Sequence, residues 1–218
     1  MVLKLYAAPL STASLRVAQV LHEKEVPFEF HPVDLQKKEQ KAPEYLEKQP
    51  FGQVPYIDDD GFVLYESRAI GRYLALKYAN QGTPLVPDIN DVKAWSLFEQ
   101  AASNEYANFE SIAVKIVYEK VFKARVGQEP DQALYDAAVS QLSAKLDVYE
   151  QILSKQPYLT GDNVTLADLY HIPFGTRLYL AEAGHLIDSR PNVSRWFKSL
   201  TARPSWEAVK NGIKSTAP

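Results

Sequence analysis

The chain has 218 residues, 46% of them hydrophobic and 23% charged, which is the composition of a globular protein with one large domain or two small ones. Its 24 basic and 27 acidic residues give a net charge of −3 without a basic tail, so no nucleic-acid partner is expected. The chain has no cysteine and no long apolar run, which excludes disulfides, thiolate nucleophiles and a membrane-spanning helix.

The start of the chain predicts a strand, a helix and a second strand. Residues 2–7 (VLKLYA) and 26–33 (VPFEFHPV) are typical of strands. Between them, residues 13–25 have the spacing of a helix. One face of this helix carries Val17, Val20, Leu21 and Lys24. The order strand, helix, strand requires a right-handed crossover between the first two strands.

A second pair of strands is predicted after a loop or short helix. The segments VPYI, at residues 54–57, and FVLY, at residues 62–65, are short strands joined by an Asp-Gly hairpin turn. The helix that follows has one face at spacings of three and four, with Ile70, Tyr73, Leu74 and Lys77. This order predicts an α/β domain over residues 1–79, with a mixed four-stranded sheet covered by helices.

The second half of the chain is predicted to be helical. Residues 80–91 (NQGTPLVPDIND) lack periodicity and contain two prolines, so we expect a linker there. One helical pattern runs through Trp95, Phe98, Ala102, Tyr106, Phe109, Ala113, Ile116 and Val117. Another runs through Leu134, Ala138, Leu142, Leu146, Tyr149 and Leu153. Shorter patterns near 165–183, 192–201 and 204–213 complete an all-α helical bundle domain, predicted for residues 92–218.

Two motifs of the first domain have both a structural and a functional interpretation. Pro55, in FGQVPYI, is typical of the start of an edge strand. If the Val54–Pro55 bond is cis, Val54 instead turns its N–H and C=O outward, where they can pair with the backbone of a ligand. Glu66 and Ser67, in LYESRAIGRY, suit the first turn of a helix, or they form a site for an amino-acid head group.

The other polar motifs are interpreted as structural. The lysines at 37, 38 and 41 form a charge run of the kind that usually covers a solvated surface. Thr165 and Asp168, in TLADLYHIP, have the spacing of a capping box at a helix start. The four histidines show no metal-ligand spacing, so no metal site is expected. The first ten residues are a poor secretory signal, and we expect a cytoplasmic protein.

The order and spacing of these motifs resemble those of glutathione transferases. The first half, with GQVP before the third strand and ESRAI opening the next helix, resembles their thioredoxin-like domain. The helical half with TLAD resembles their C-terminal domain. In PFGQVP, in ESRAI and in a serine five residues before RV, the chain is similar to the phi class. The resemblance covers nearly the whole chain and implies glutathione as co-substrate, no other cofactor, and a homodimer in which Phe51 inserts into the partner's helices.

The resemblance also implies which residues contact glutathione. The residues implied are Gln40, Lys41, Gln53, Val54, Pro55, Glu66 and Ser67. The cysteinyl backbone would pair with Gln53 and Val54. The γ-glutamyl head would lie at Glu66 and Ser67, and the glycine carboxylate at Lys41.

A site for a hydrophobic acceptor is implied as well. Its residues would be Leu10, Thr12, Leu35, Tyr118 and Phe122. Tyr118 and Phe122 are four residues apart and share a helical face. Gln40 stands where phi enzymes often carry a histidine, so a weaker contact with the glycine end of glutathione is expected.

The resemblance makes Ser11 the catalytic hydroxyl among the three hydroxyls of the stretch APLSTASLRV, residues 8–17. Ser11 precedes the helix and can point into a cleft, whereas Ser14 is expected to satisfy a local backbone group within the first turn. Thr12 is stiff at χ1 and is predicted to be a wall of the acceptor site. The plainer interpretation of Ser11 is a helix cap.

The function implied is transfer of the glutathione thiolate to small hydrophobic electrophiles, with reduction of organic peroxides as a related activity. A second hypothesis is a non-catalytic carrier of hydrophobic ligands on the same fold. A third, a glutathione-dependent disulfide reductase, needs an active-site cysteine, which the chain lacks. The presence of Ser11 favours catalysis over carriage. A conjugation assay would discriminate between these first two hypotheses.

Overall fold

The structure, a computed structural model, describes residues 2–217. The chain divides into two compact units, one formed by residues up to 86 together with those from 203 onward, the other by residues 87–202. The strands of the first unit are β1 (Leu3–Ala7), β2 (Phe28–Pro32), β3 (Tyr56–Asp59) and β4 (Phe62–Tyr65). They form one sheet in the order β2-β1-β3-β4, parallel between β1 and β2 and antiparallel elsewhere. The predicted mixed four-stranded sheet is confirmed.

Three helices of the first unit follow its strands in the predicted order. They are α1 (Thr12–Glu23), α2 (Pro43–Leu46) and α3 (Ser67–Lys77), and a short 3₁₀ turn at Glu39–Lys41 precedes α2. The helices α1 and α3 pack against each other. The buried positions of the predicted faces are Val17, Val20, Leu21, Ile70 and Leu74, whereas Tyr73 is half-buried and Lys77 is exposed. Lys24 of the predicted α1 face is buried as well, and its ammonium donates to the Thr83 carbonyl oxygen over 2.8 Å.

One face of the sheet carries an aromatic cluster. The Tyr6 ring stacks on His31 at 4.6 Å and on Tyr56 at 4.5 Å between ring centroids. Tyr45, from α2, meets the Tyr56 ring edge-on at 5.1 Å. Val54 packs against the same cluster, so the aromatic residues support the loop that leads into β3.

The second unit begins with a helical stretch from residue 92 to residue 125. It comprises α4 (Val92–Asn104), α5 (Ser111–Val117) and α6 (Lys123–Arg125), separated by π-helical segments at Glu105–Glu110 and Tyr118–Phe122. Most of the predicted apolar stripe is buried, but Tyr106 is 59% exposed. Tyr106 lies in a π-helical segment, whose wider turn shifts residues relative to a stripe of α-helical spacing.

The remaining helices of the second unit are α7 (Gln132–Leu153), α8 (Leu166–Leu169), α9 (Ile172–Leu180), α10 (His185–Asp188) and α11 (Pro191–Thr201). The predicted stripe of α7 is buried except for Leu134, which lies in the first turn and is 59% exposed. The predicted capping box at the start of α8 is present. Within residues 2–217, no helix combines the length and the apolar character that a membrane crossing requires.

The last helix, α12 (Pro204–Val209), belongs to the first unit and packs against α1. The buried Glu23 carboxylate accepts hydrogen bonds from Arg203, Ser205 and Thr83. Although burial raises the pKa of Glu23, these hydrogen bonds bring it below its ordinary value. The structure therefore differs from the predicted boundaries, which gave residues 80–91 to a linker and all of 92–218 to the helical domain.

Candidate active site

Ser11 lies at the N-cap of α1, directly after the turn that follows β1. Its backbone is extended (φ −67°, ψ 134°), and its C=O accepts the first helical hydrogen bond from Leu15 N–H at 2.8 Å. The side chain, in contrast, makes no capping hydrogen bond. Since the first N–H groups of a helix lack intrahelical partners and carry a partial positive charge, the half-buried Ser11 hydroxyl lies where an anion is stabilised.

The other two hydroxyls of this stretch have different surroundings. Thr12 opens α1 and is half-buried. Ser14 is fully buried, and its Oγ has no hydrogen-bond partner among residues 2–217. The prediction that Ser14 satisfies a local backbone group is therefore wrong, because no donor or acceptor of residues 2–217 lies within hydrogen-bond distance of its Oγ.

The loop before β3 presents the backbone of Val54. The Val54–Pro55 bond is cis. Within the described part of the chain, neither the N–H nor the C=O of Val54 is hydrogen-bonded. The preceding residue is fixed on both sides, because Gln53 C=O accepts from the Tyr45 hydroxyl at 2.7 Å and Gln53 N–H donates to Gln49 Oε1 at 3.2 Å. The loop is thus anchored while Val54 keeps one free donor and one free acceptor.

The hydroxyls of Tyr45 and Tyr56, in the aromatic cluster that supports this loop, stay protonated. Burial, together with the nearby Tyr56, raises the pKa of Tyr45 well above its ordinary value. Burial, with Tyr6 and Asp58, raises the pKa of Tyr56 to about 12. Tyr45 therefore remains a hydrogen-bond donor to Gln53 over the whole physiological pH range.

The start of α3 combines an exposed carboxylate with a buried hydroxyl. Glu66 has φ 70° and ψ 105°, a conformation that side-chain-bearing residues seldom adopt, and its carboxylate does not cap the helix. Ser67 is the first residue of α3 and is 6% exposed. Its Oγ accepts a hydrogen bond from Nη1 of Arg16 in α1, at 2.9 Å. Neither predicted residue caps α3 through its side chain, so both remain candidates for ligand contacts.

Lys41 and Gln40 lie close to the loop before Val54. The Lys41 ammonium donates to Phe51 C=O at 3.1 Å and passes over Gly52. A Cβ at residue 52 would lie 2.6 Å from Lys41 Nζ, and the positive φ of +58° also favours glycine there. Gln40 Oε1 is buried without a hydrogen-bond partner among residues 2–217.

The residues predicted for the acceptor site belong to both units. In the first unit Leu10 and Leu35 are exposed. In the second unit Tyr118 borders a cavity of about 360 Å³, whose other lining residues include Leu134 and Ala138. Phe122 instead lies beside the guanidinium groups of Arg125 and Arg177, at 5.6 and 5.8 Å. The two aromatic residues thus have different surroundings, although their spacing predicted a common face.

Three residues of this region were missed by sequence reasoning: Arg16, Tyr45 and Gln49. Each acts through another residue, because Arg16 contacts Ser67 while Tyr45 and Gln49 contact Gln53. A signal was present for Arg16, since it lies four residues before Val20 and so near the core face of α1. Nothing in the local sequence distinguishes Tyr45 or Gln49 from core residues of a short helix and its following loop.

Comparisons with known proteins identify the family of the chain. Residues 1–76 match the family model "Glutathione S-transferase, N-terminal domain", and residues 106–204 match "Glutathione S-transferase, C-terminal domain". Glutathione S-transferase hmp2 of Hypomyces subiculosus is 45% identical over 218 residues, which are 100% of this chain and 99% of that protein.

Solved structures are similar over nearly the whole chain. Glutathione transferase F7 from Populus trichocarpa has a TM-score of 0.92 at 38% identity, covering 96% of this chain and 98% of that one. Glutathione S-transferase I from maize, in complex with an atrazine glutathione conjugate, has a TM-score of 0.90 at 31% identity, covering 97% of each chain. The chain therefore belongs to the glutathione S-transferase family, and within it to the phi class. Enzymes of this family use glutathione as co-substrate.

Proposed function

We propose that this glutathione transferase activates its co-substrate through the hydroxyl of Ser11, which donates a hydrogen bond to the glutathione sulfur and so stabilises the thiolate. The observation that carries the proposal is that Ser11 occupies the N-cap of α1 without capping it. Its hydroxyl proton is therefore available to a ligand, and the N-terminus of α1 adds a favourable electrostatic field.

The free energies involved indicate that a hydrogen bond from the Ser11 hydroxyl is enough to activate the thiol, without a general base. A free thiol of this kind has a pKa of about 8.5, so only a few per cent is thiolate at neutral pH. Lowering that pKa by about two units requires about 2.7 kcal/mol of preference for the anion. A hydrogen bond to a charged acceptor contributes about 1.5–3 kcal/mol, and a helix N-terminus about 0.3–1 kcal/mol. One donated bond at this position is therefore sufficient.

Glutathione is proposed to bind along the loop before β3 and the start of α3. The free N–H and C=O of Val54 suit the cysteinyl backbone, which needs one donor and one acceptor. Ser67 and the first N–H groups of α3 suit the γ-glutamyl carboxylate, and the Glu66 carboxylate suits its ammonium group. Lys41 is proposed for the glycine carboxylate, with Gln53 beside the cysteinyl residue.

The proposed acceptors are small apolar electrophiles. The thiolate adds to an activated alkene, displaces a halide from an activated aromatic ring, or attacks an organic peroxide. In the last case the O–O bond breaks to give an alcohol and the sulfenic acid of glutathione, which a second glutathione converts to the disulfide with loss of water. Leu10 and Thr12, which flank Ser11 in the chain, and the exposed Leu35 are the residues proposed from the first unit, and Tyr118 and Phe122 are those proposed from the helical unit. The maize relative, which was found in complex with an atrazine glutathione conjugate, supports an acceptor of this class.

A homodimer is also proposed, with Phe51 as its anchor. Phe51 is 64% exposed on the loop before β3. The second unit contains a cavity of about 380 Å³ between α4 and α7, lined by Leu97, Ala101, Val148 and Ile152 among others. This cavity can accept an aromatic side chain from a second copy. Replacing Phe51 with aspartate should yield monomers in sedimentation, whereas the matched control Phe62→Asp, at the exposed first residue of β4, should remain dimeric.

The central experiment measures conjugation of glutathione to chlorodinitrobenzene. Ser11→Ala should lower turnover at neutral pH by about one to two orders of magnitude, which corresponds to about 1.4–2.7 kcal/mol of lost transition-state stabilisation. Ser14→Ala serves as the matched control and should retain most of the turnover. If the control loses turnover while Ser11→Ala keeps that of the parent, the Ser11 hydroxyl is not the one that activates glutathione. No conjugation by the parent protein would favour the carrier function.

A further inference from the structure

We propose that Arg16 is a positioning residue for glutathione, and that its guanidinium holds the Ser67 hydroxyl as a hydrogen-bond donor toward the γ-glutamyl carboxylate. This inference rests on the proposed role of Ser67 and adds a residue that does not itself touch the ligand. It concerns the first unit alone, since Arg16 lies in α1 and Ser67 opens α3.

The contact between the two residues is buried. Arg16 is 2% exposed, and its Nη1 lies 2.9 Å from Ser67 Oγ. Ser67 is 6% exposed at the first position of α3, so its backbone N–H is among those without an intrahelical partner. Arginine is rarely buried to this extent, because removing its charge from water is unfavourable without compensating contacts. Arg16 thus occupies a place that an apolar residue would fill more readily.

The direction of this hydrogen bond decides what the serine can do. A guanidinium donates hydrogen bonds and cannot accept them, while a hydroxyl has one proton and two lone pairs. Arg16 therefore uses a lone pair of Ser67 Oγ and leaves the hydroxyl proton for another partner. A carboxylate is the partner that such a proton suits best, since it accepts hydrogen bonds and donates none.

The guanidinium also strengthens that donor. A cation that donates to a hydroxyl oxygen polarises the O–H bond, so the hydrogen bond from the hydroxyl to an anion becomes stronger. The positive charge and the N-terminus of α3 act in the same direction on a carboxylate bound at Ser67. Arg16 is thus expected to contribute to the recognition of one ligand group, the α-carboxylate of the γ-glutamyl residue, and to leave the thiol chemistry unchanged.

A purely structural role is the alternative, in which Arg16 only connects α1 to α3. The test therefore compares glutathione with an analogue in which 4-aminobutyrate replaces the γ-glutamyl residue, so that the α-carboxylate is missing. Arg16→Met keeps a long apolar side chain but removes the charge and the donors. Gln19→Met is the matched control, because Gln19 is a fully buried polar residue of α1 whose side chain contacts Ser205 instead of Ser67.

Arg16→Met should raise the KM for glutathione by about tenfold and change kcat by less than about twofold, as expected for loss of part of a hydrogen bond to a charged group. With the analogue, Arg16→Met and the parent should have the same KM within about twofold. Arg16→Lys, which retains the charge, should recover part of the KM for glutathione. Gln19→Met should leave KM unchanged with both ligands, whatever its effect on the melting temperature.

An equal rise of KM with glutathione and with the analogue would overturn the inference, because a structural role does not depend on the ligand carboxylate. Ser67→Ala is measured in parallel to separate the two levels of the proposal. If Ser67→Ala leaves the KM for glutathione unchanged, the proposed role of Ser67 fails and that of Arg16 fails with it. If Ser67→Ala raises KM while folded Arg16→Met does not, only Arg16 is excluded. If Arg16→Met does not fold, Arg16→Lys and Arg16→Gln undergo the same comparison, and equal KM ratios for the two ligands overturn the inference.

Discussion

The N-termini of α1 and α8 begin with the same kind of sequence signal and are completed in opposite ways. Each has a hydroxyl residue at the N-cap, Ser11 in α1 and Thr165 in α8. At the third helical position α8 has Asp168, whose carboxylate accepts from Thr165 N–H at 2.9 Å and from the Thr165 hydroxyl at 3.0 Å. At the same position α1 has Ser14, whose hydroxyl makes no hydrogen bond within residues 2–217.

The N-terminus of α8 therefore stabilises the fold, whereas that of α1 is open to a ligand. Asp168 is fully buried and also accepts from Leu159 N–H and from the Trp196 indole, both at 2.9 Å. Burial raises the pKa of Asp168, while these donors oppose that shift. In α1 the N-cap hydroxyl of Ser11 makes no capping hydrogen bond. Substitutions should therefore affect stability at α8 and catalysis at α1.

The largest effect on stability is expected at Asp168. Asp168→Ala leaves the Trp196 indole and the Thr165 and Leu159 N–H groups without their acceptor. Each buried donor left without a partner costs about 1–3 kcal/mol, so the free energy of unfolding should fall by about 3 kcal/mol or more. Urea denaturation measures this change. Asp168→Asn keeps one acceptor oxygen and should lose less stability. Equal stability of both variants and the parent would contradict the stabilising role of the Asp168 carboxylate.

A smaller loss is expected at the N-cap of α8, and none at that of α1. Thr165→Ala should lower the free energy of unfolding by about 0.5–2 kcal/mol, the range for lost helix caps. Ser11→Ala should change it by less than about 0.5 kcal/mol, because the Ser11 side chain makes no cap bond. A loss of stability in Ser11→Ala as large as in Thr165→Ala would mean that Ser11 is a structural cap after all.

The smallest effect is expected at Ser14. Its buried Oγ has no partner in the described part of the chain, so Ser14→Ala removes a polar atom that is unfavourably placed. The variant should be as stable as the parent or more stable by up to about 1 kcal/mol, with parental turnover. Thermal denaturation and the conjugation assay check both expectations. A clear loss of stability would show that the hydroxyl has a partner in solution.

Much of the fold could be predicted because its signals are local. The strands near residues 3–7 and 62–65 and the buried face of α1 follow from spacing alone, and so does the capping box of α8. The exposure of Tyr106 could not be predicted, because a π-helical segment has no signature in apolar spacing. The return of α12 to the first unit brings Arg203 to Glu23, 180 residues away in the sequence, and local spacing does not predict such a contact.

The site was predictable in part for a similar reason. Ser11, Val54 and Ser67 belong to short motifs whose order resembles that of a family, so the amino-acid sequence is enough to identify them as candidates. Arg16 and Tyr45 act through contacts with residues distant in sequence, and such contacts exist only after folding. The free state of the Ser11 hydroxyl is likewise a tertiary property, since the sequence alone equally allows a cap.

The most direct test of the account is the pKa of the glutathione thiol bound to the enzyme. It is measured by titrating the ultraviolet absorbance of the thiolate in complexes of the parent, Ser11→Ala and Ser14→Ala. If the Ser11 hydroxyl activates glutathione, the thiol pKa lies about two units below that of the free thiol in the parent and in Ser14→Ala. In Ser11→Ala the pKa should return most of the way to the free value. The same depressed pKa in Ser11→Ala as in the parent would contradict the central claim that the open N-cap of α1 activates glutathione.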